Sequence, residues 1–280
     1  MNYRHSFHAG NSADVVKHCL LIALVRALQQ KPGALTLIDT HAGCGLYDLC
    51  GDQAQRTGEA AQGVLRAFAD SNPLLDDYRA AVRAVNAGED AGAVPRLYPG
   101  SPQVLVQLLR PQDGLILNEK HPEDVRALRA AMRATPAAVH QRDAYELWLA
   151  MVPPRTARGM VVVAPPYEQT DERERITATL AAACRKWAHG VTVIWYPLKD
   201  RPTHVRWRQQ LRRLGIPKML SVDHWLYDDD QPGIYNGAGL FIVNPPYAFT
   251  QALPPLLEAL RAALEPEGHK GEITADWLSV

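Results

Sequence analysis

Short apolar segments alternate with amphipathic segments along most of this 280-residue chain. We predict strands at 34–39, 114–117, 138–141, 159–163 and 191–196, and an antiparallel pair at the end of the sheet from 218–225 and 238–243. We predict helices at 14–30, 122–133, 171–187 and 205–214, with a short one ending near Trp148. Apolar strands separated by helices are typical of an α/β fold with a mostly parallel sheet covered on both faces.

One stretch interrupts this alternation. Residues 52–93 form a helical region rich in Ala and Arg that is longer than a single crossover helix requires. We interpret it as an inserted helical subdomain, within a core made of residues 1–51 and 94–280. The length of the chain suits one α/β domain with such an insertion.

Composition narrows the class of protein. The formal net charge is +0, so the overall charge does not indicate a nucleic-acid partner. The first 14 residues are polar and no apolar run has membrane length, which predicts no membrane association. The four cysteines include no C-x-x-C pair, which disfavours a zinc site or a disulfide framework and favours a reducing cytoplasm.

Polar or glycine-containing residues follow four of the predicted strands. They are Asp39–Gly45 (DTHAGCG), Asn118–Glu119, Asp143 and Ala164–Tyr167 (APPY). Ligands of open α/β sheets bind outside the carboxyl ends of the strands. The ordered set therefore predicts a nucleoside-bearing cofactor, although each element alone is more often an ordinary turn or a solvated acid. A third glycine for a pyrophosphate is absent after Gly45, which favours S-adenosylmethionine over a nicotinamide cofactor.

The segment VVVAPPY at 161–167 has the form of a base-holding loop in amino-group methyltransferases. There, a polar side chain before Pro-Pro and the carbonyl of the first proline accept the two hydrogens of the target amine. The prolines stiffen the loop, and the aromatic ring stacks on an extruded base. Here the polar position is Ala164, followed by Pro165, Pro166 and Tyr167. The alternative interpretation is a diproline turn with a packed tyrosine.

A second such segment, LFIVNPPY at 240–247, carries the polar residue that the first one lacks. It follows the last strand of the predicted sheet, which we expect to lie far from the cofactor. Asn244 is therefore a minor candidate for the catalytic position.

Two further segments indicate substrate contacts. The N-terminal segment around Tyr3, His5, Lys17 and His18 combines aromatic, polar and basic groups, and with no second cluster of ligands we predict a substrate or cofactor contact and no metal site. Residues 199–218 are strongly basic and contain Arg212 and Arg213, which suits RNA phosphates. The alternative interpretation of the N-terminal segment is an exposed helix start. The alternative interpretation of residues 199–218 is a solvated helix face.

Several motifs together resemble one family. They are YRHSFHAGNSADVVKH at 3–18, DTHAGCGLY at 39–47, RTGE at 56–59, YPGSP at 98–102, NEKHP at 118–122 and VNPPY at 243–247. They resemble RlmJ, a family of bacterial ribosomal RNA adenine-N6 methyltransferases. The resemblance implies a Rossmann-like class I fold with an antiparallel last strand, and S-adenosylmethionine as methyl donor. It implies that the substrate is 23S rRNA, either protein-free or in an early assembly precursor. It also implies that the protein is a monomer. It also implies cofactor contacts for His18, His41, Ser101, Glu119, Asp143 and Ala144, and an RNA contact near the target base for Tyr3.

The chain departs from this family at Ala164, where the family has a catalytic Asp. Three explanations of this alanine are possible: an engineered substitution, a naturally degenerate member of the family, or a member that uses another catalytic group. The intact motif around the position favours a deliberate or recent change. We expect an rRNA methyltransferase of impaired activity. A non-catalytic protein that binds S-adenosylmethionine and RNA, and a DNA adenine-N6 methyltransferase, are the competing hypotheses.

Overall fold

An eight-stranded sheet organises the chain, which a computed structural model describes over residues 4–88, 94–227, 235–265 and 271–279. Within these ranges the strands are β1 (Thr36–Asp39), β2 (Leu46–Asp48), β3 (Leu97–Pro99), β4 (Gly114–Asn118), β5 (Ala138–His140), β6 (Gly159–Val163), β7 (Val191–Pro197), β8 (Met219–Trp225), β9 (Gly237–Val243) and β10 (Glu272–Ser279). The helices are α1 (Ser12–Gln29), α2 (Asp52–Thr57), α3 (Val64–Ala69), α4 (Asp76–Val85), α5 (Ser101–Gln107), α6 (Pro122–Ala131), α7 (Ala144–Met151), α8 (Glu172–Lys186), α9 (Arg201–Arg212) and α10 (Tyr247–Leu264).

The strand order of the sheet is β10-β8-β9-β7-β6-β1-β4-β5. The five strands from β7 to β5 run parallel, whereas β9, β8 and β10 each pair antiparallel with their neighbours. The chain winds from β1 to β4 and β5 on one side, and then to β6 and β7 on the other. This reversal creates a crevice at the carboxyl ends of the central strands, where α/β proteins bind ligands.

The predicted mostly parallel sheet with an antiparallel last strand is confirmed, and the predicted strands and helices agree closely with the observed ones. The prediction that 218–225 and 238–243 end the sheet was wrong in one respect. These segments pair as β8 and β9, but β10 follows them and pairs with β8 along the outer edge. Helices α5 and α10 and the small β2–β3 ladder were not predicted.

Both faces of the sheet are covered by apolar helices. Met160 and Val162 of β6 belong to the cluster that packs under α1 and α10, while Val161 and Val163 belong to the cluster under α7, α8 and α9. Alternate side chains of this strand are thus buried on opposite faces. This double burial explains why the strand is an uninterrupted apolar run in the sequence.

Helices α3 and α4 pack against α1, α3 also packs against α10, and α2 packs against the N-terminal turn His5–Phe7. Val64, Leu75 and Tyr78 are buried in the same apolar cluster as Met160 of the central sheet. Residues 89–93 of the predicted 52–93 insertion lie outside the described residues. The division of the chain into a core and an inserted subdomain stays a prediction. Across the described residues, no helix combines the length and apolar character needed to cross a bilayer.

Candidate active site

A pocket of about 770 Å³ opens at the carboxyl ends of the parallel strands. Eleven of the residues predicted for the site line it: His5, Lys17, His41, Ser101, Glu119, Asp143, Ala144, Ala164, Pro165, Pro166 and Tyr167. This volume lies within the range typical of small-molecule sites.

The glycine-containing turn after β1 forms one wall of the pocket. Gly43 has a positive φ of 60°, and a Cβ atom there would collide with the hydroxyl of Tyr47. Its backbone N–H donates to Oε2 of Glu119 at 2.9 Å. The turn therefore requires glycine, and it is fastened to the acid that follows β4.

Glu119 is a buried carboxylate at the tip of β4. Its Oε1 accepts from the backbone N–H of His121 at 2.8 Å, and its Oε2 accepts from Gly43. Burial raises the pKa of Glu119, and the two backbone hydrogen bonds oppose that rise. The side chain is held rigidly and still has lone pairs for a hydroxyl donor in the pocket.

Asp143 caps the start of α7. Its Oδ1 accepts from the N–H of Tyr145 at 3.0 Å, and its Oδ2 lies 3.1 Å from Nζ of Lys120 and 3.2 Å from Nη2 of Arg175. Burial would raise the pKa of Asp143, but these hydrogen bonds lower it, so the group is anionic at neutral pH. Ala144 is the first residue of α7, and its N–H is therefore a donor with no acceptor inside the helix.

Behind the turn, Asp39 holds two of its neighbours in place. Oγ of Ser101 donates to Asp39 at 2.6 Å, and the N–H of His41 donates to it at 3.1 Å. Burial raises the pKa of Asp39 in spite of these bonds. Burial also lowers the pKa of His41 to about 3, so this imidazole lines the pocket in its neutral form.

The Pro-Pro-Tyr loop after β6 lies beside this cluster. The hydroxyl of Tyr167 donates to the carbonyl of Trp195 at 2.8 Å, and its ring meets that of Trp195 edge-on with centroids 6.0 Å apart. Tyr167 has a φ of 53°, an uncommon conformation for a residue with a side chain. The loop is firmly shaped, but at Ala164 it presents only a methyl group to the pocket.

Part of the N-terminal segment forms another side of the pocket. Nε2 of His5 lies 2.9 Å from Oδ2 of Asp14, and Nζ of Lys17 lies 2.8 Å from Oδ1 of the same carboxylate. Burial would raise the pKa of Asp14, but His5 and Lys17 hold it well below its usual value. The buried ion pair fixes Lys17 at the pocket wall.

Three of the predicted contacts that lie within the described residues do not line the pocket: His18, Arg212 and Arg213. Tyr3 lies outside the described residues. His18 is fully buried, with Nδ1 2.9 Å from the hydroxyl of Tyr98. Arg212 and Arg213 end α9, about 17 Å from its first residue at 1.5 Å per residue, and Arg212 donates to the carbonyl of Leu278. The binding roles assigned to these residues stay predictions.

Asn244 lies on the side of the sheet opposite the pocket, where the central parallel strands begin. Its amide donates to the carbonyls of Ala188 and Gly190, both at 2.9 Å, and these residues precede β7. The expected reason for its remoteness was wrong, because β9 lies inside the sheet rather than at its end. Asn244 is remote because β9 runs antiparallel to β7, so its carboxyl end meets the amino end of β7.

Several pocket residues were not predicted from the sequence, and Tyr145, Glu172 and Arg175 form a connected group among them. The hydroxyl of Tyr145 donates to the buried carboxylate of Glu172, and the guanidinium of Arg175 lies 4.3 Å from the centre of the Tyr145 ring. The sequence contained one usable signal. Glu172 and Arg175 are three residues apart at the start of the helix after the Pro-Pro-Tyr loop, so they share one face of that helix.

The parallel sheet, the acids at its strand tips and the Pro-Pro-Tyr loop define a class I S-adenosylmethionine-dependent methyltransferase. The profile of the family described as ribosomal RNA large subunit methyltransferase D, RlmJ, matches residues 32–279. This chain belongs to the RlmJ family.

Similar proteins extend over the whole chain. It is 34% identical to ribosomal RNA large subunit methyltransferase J of Escherichia coli K12, an alignment that covers 99% of each chain. It is 33% identical to the protein of the same name from Haemophilus influenzae, over 100% of this chain and 99% of the relative. The crystal structure of a Legionella pneumophila protein, 28% identical, superposes with a TM-score of 0.86 over 96% of this chain and 98% of that one.

Proposed function

We propose that this protein belongs to the pathway of large-subunit ribosomal RNA modification and that its scaffold transfers a methyl group from S-adenosylmethionine to N6 of an adenine in 23S rRNA. One observation carries the proposal. The acids that suit the nucleoside of the cofactor and the Pro-Pro-Tyr loop that suits an adenine amine line the same pocket. The relatives from E. coli and H. influenzae are named as large-subunit ribosomal RNA methyltransferases.

The pocket residues fit S-adenosylmethionine. Glu119 has the position and the remaining lone pairs to accept from the ribose hydroxyls. Asp143 suits the adenine amine, and the N–H of Ala144 suits a ring nitrogen next to it. The close turn at Gly43 leaves room for the cofactor where a larger residue would have forced the loop away. His41 and Ser101 complete this side of the site, and His18 supports it from the core. The cofactor supplies an electrophilic methyl group on a sulfonium.

The loop residues act on the target base. The carbonyl of Pro165 accepts one hydrogen of the amine, and the Tyr167 side of the pocket offers aromatic surface to an extruded adenine. Ala164 supplies no second acceptor, so the amine is held by one hydrogen bond only. Its nitrogen is therefore poorly oriented towards the methyl group of the cofactor. We infer that the chain as it stands is slow or inactive.

Contacts with the RNA lie around the mouth of the pocket. His5 and Lys17 line it, and Tyr3 precedes them in the chain. Arg212 and Arg213 stay candidates for more distant phosphates. A monomeric state and a cytoplasmic location, which four free cysteines suit, complete the proposal.

A second function deserves a test because of Ala164. A chain that keeps the cofactor and RNA surfaces but lacks the acceptor would bind both ligands without reacting. The experiment is methyl transfer to unmodified 23S rRNA by the chain and by its Ala164→Asp variant, with duplex DNA as competitor. Transfer to adenine N6 of the RNA by the variant supports the methyltransferase, and inactivity of both with retained binding supports the non-catalytic protein. Preferential methylation of the DNA would identify a DNA enzyme.

A further inference from the structure

The pocket extends beyond the strands that hold the cofactor acids. Glu119 and Asp143 follow β4 and β5, on one side of β6. On the other side, Trp195, Pro197 and Lys199 continue the lining along the carboxyl end of β7. If the cofactor occupies the tips of β1, β4 and β5, the target nucleotide must occupy the space at β6 and β7.

The charged groups of the lining differ between these two sides. Four Lys and Arg side chains line the pocket, and three of them pair with carboxylates: Lys17 with Asp14, and Lys120 and Arg175 with Asp143. Lys199 is exposed at the β7 side and has no carboxylate partner within the described part of the chain. It is the lining cation that remains available to an anionic ligand.

Arg173, in the first turn of α8, is not part of the pocket lining, but it lies close enough to Asp200 and Tyr167 for its charge to act on both. Its guanidinium lies 5.5 Å from the ring centre of Trp207, and its buried Nε finds no hydrogen-bond acceptor among the described residues. The buried Nε cannot reach a ligand at the rim of the pocket, so a phosphate would be bound by the terminal nitrogens of this stacked guanidinium.

Asp200 is one carboxylate beside this corner, and Glu168 and Glu172 of the pocket lining are others on the Tyr167 side. Oδ1 of Asp200 accepts from the N–H of Thr203 at 2.7 Å, so Asp200 caps α9. Burial would raise the pKa of Asp200, but the Thr203 hydrogen bond and the nearby charge of Arg173 lower it. Asp200 therefore offsets part of the positive charge, while the exposed Lys199 and the guanidinium still offer their donors.

We propose that Lys199 and Arg173 bind backbone phosphates of the RNA next to the target adenosine. This inference rests on the proposed function, and we call the pair the β7–α8 corner. A nucleotide whose base enters beside the Pro-Pro-Tyr loop must leave its sugar and phosphates at the rim of the pocket. The corner supplies positive charge at that rim, on the side opposite the cofactor acids.

The corner is distinct from the basic end of α9. Arg212 lies about 17 Å along the helix from Arg201, towards the amino ends of the central strands. A phosphate contact at the corner adjoins the reacting base, whereas a contact at Arg212 or Arg213 requires RNA that wraps round the sheet. Salt dependence of binding separates the two, because each neutralised phosphate adds about 0.7 to 0.9 to the slope of log affinity against log salt.

The experiment measures binding of an unmodified 23S rRNA transcript between about 50 and 200 mM salt. Lys199→Gln and Arg173→Gln should each flatten the slope by about 0.7 to 0.9, and Arg173→Lys should keep most of it. Arg185→Gln, at the exposed last turn of α8, is the matched control and should leave the slope unchanged. Unchanged affinity for S-adenosylmethionine, measured by calorimetry, shows that each variant is folded.

Each result decides the inference. If the slope is unchanged in folded Lys199→Gln and Arg173→Gln proteins, the proposal that the β7–α8 corner binds phosphates is wrong. If the slope flattens only in the double variant Arg212→Ala, Arg213→Ala, the phosphate contact lies at the end of α9. If Arg185→Gln flattens the slope to the same extent, the effect is one of general charge, and the proposed phosphate contact at the corner is also wrong. If the Ala164→Asp protein binds the cofactor but neither binds nor methylates the RNA, the proposed function itself fails.

Discussion

Tyr145 donates a hydrogen bond to Glu172, and this contact joins the start of α7 to the start of α8. The first of these helices follows Asp143, and the second follows the Pro-Pro-Tyr loop. Arg175 reinforces the connection, since it stacks on the Tyr145 ring and bonds to Asp143. The residues that suit the cofactor and the loop that suits the target base are thereby held in one fixed arrangement.

The first prediction concerns this hydrogen bond. Tyr145→Phe leaves the Glu172 carboxylate, which is only 5% exposed, without its phenol donor. We expect a loss of about 1 to 3 kcal/mol in the free energy of unfolding, the usual result of leaving a buried polar group unpaired. Urea unfolding measures it. Glu174→Gln, on the exposed side of the same helix turn, is the control and should change stability little. Equal stability of both variants would contradict the structural role of the contact.

The second prediction concerns cofactor affinity. Glu119→Ala removes a carboxylate that fixes the turn at Gly43 and that suits the ribose hydroxyls. We expect S-adenosylmethionine to bind about 1 to 3 kcal/mol more weakly, measured by calorimetry. Glu258→Ala, on the exposed face of α10, is the matched control. Binding as tight as that of the original chain would remove Glu119 from the cofactor site.

The third prediction concerns stability at acid pH. His224 is buried in β8, and burial lowers its pKa from about 6.5 to about 4. Between these values the unfolded chain binds a proton that the folded chain does not, so stability falls as the pH decreases from about 6.5 towards 4. From pH 7 to pH 5 this group alone should lower the free energy of unfolding by about 2 kcal/mol.

Urea unfolding at both pH values checks this, with His224→Gln as the test variant. The variant should lose about 2 kcal/mol less than the original chain between pH 7 and pH 5. His189→Gln, where the ring is exposed, should behave like the original chain. An identical pH dependence in all three proteins would show that His224 does not stay neutral in the fold.

The parts of the fold that the sequence predicted are those whose environment is uniform. Val161–Val163 is apolar throughout because β6 is buried on both faces. Strand β10 is a mixed sequence at an exposed edge, so it lacks both periodicity and a continuous apolar run. Helix α10 contains Pro254 and Pro255 in its interior, which lack the N–H donor of a regular helix and obscure the pattern.

The candidate site divides in the same way. Glu119, Asp143 and Ala164 could be predicted because each lies within three residues of the end of a strand, and the carboxyl ends of parallel strands meet on one side of the sheet. The contact of Tyr145 with Glu172 could not, because it depends on how α7 packs against α8. The remoteness of Asn244 depends on β9 pairing directly with β7 in antiparallel direction, and the sequence did not show which strand would be its neighbour.

The last prediction concerns the two Pro-Pro-Tyr segments. Ala164 lies in the pocket, whereas Asn244 bonds to the carbonyls that precede β7, on the side of the sheet opposite the pocket. A side-chain acceptor at residue 164 would grip the second hydrogen of the target amine. One well-placed polar group of this kind changes the rate by about 10²- to 10³-fold. Ala164→Asp should therefore raise methyl transfer to unmodified 23S rRNA by that factor.

Radiolabelled methyl transfer under single-turnover conditions measures this rate. Ala164→Asn is a matched variant, because it restores an acceptor of the same size without the negative charge, and it should recover part of the rate. Asn244→Ala, made in the Ala164→Asp background, should leave the rate unchanged, since its amide bonds to the carbonyls of Ala188 and Gly190 on the side of the sheet away from the pocket. Activity in the original chain that disappears with Asn244→Ala would instead move the reaction to the second segment, in conflict with the direction of β9.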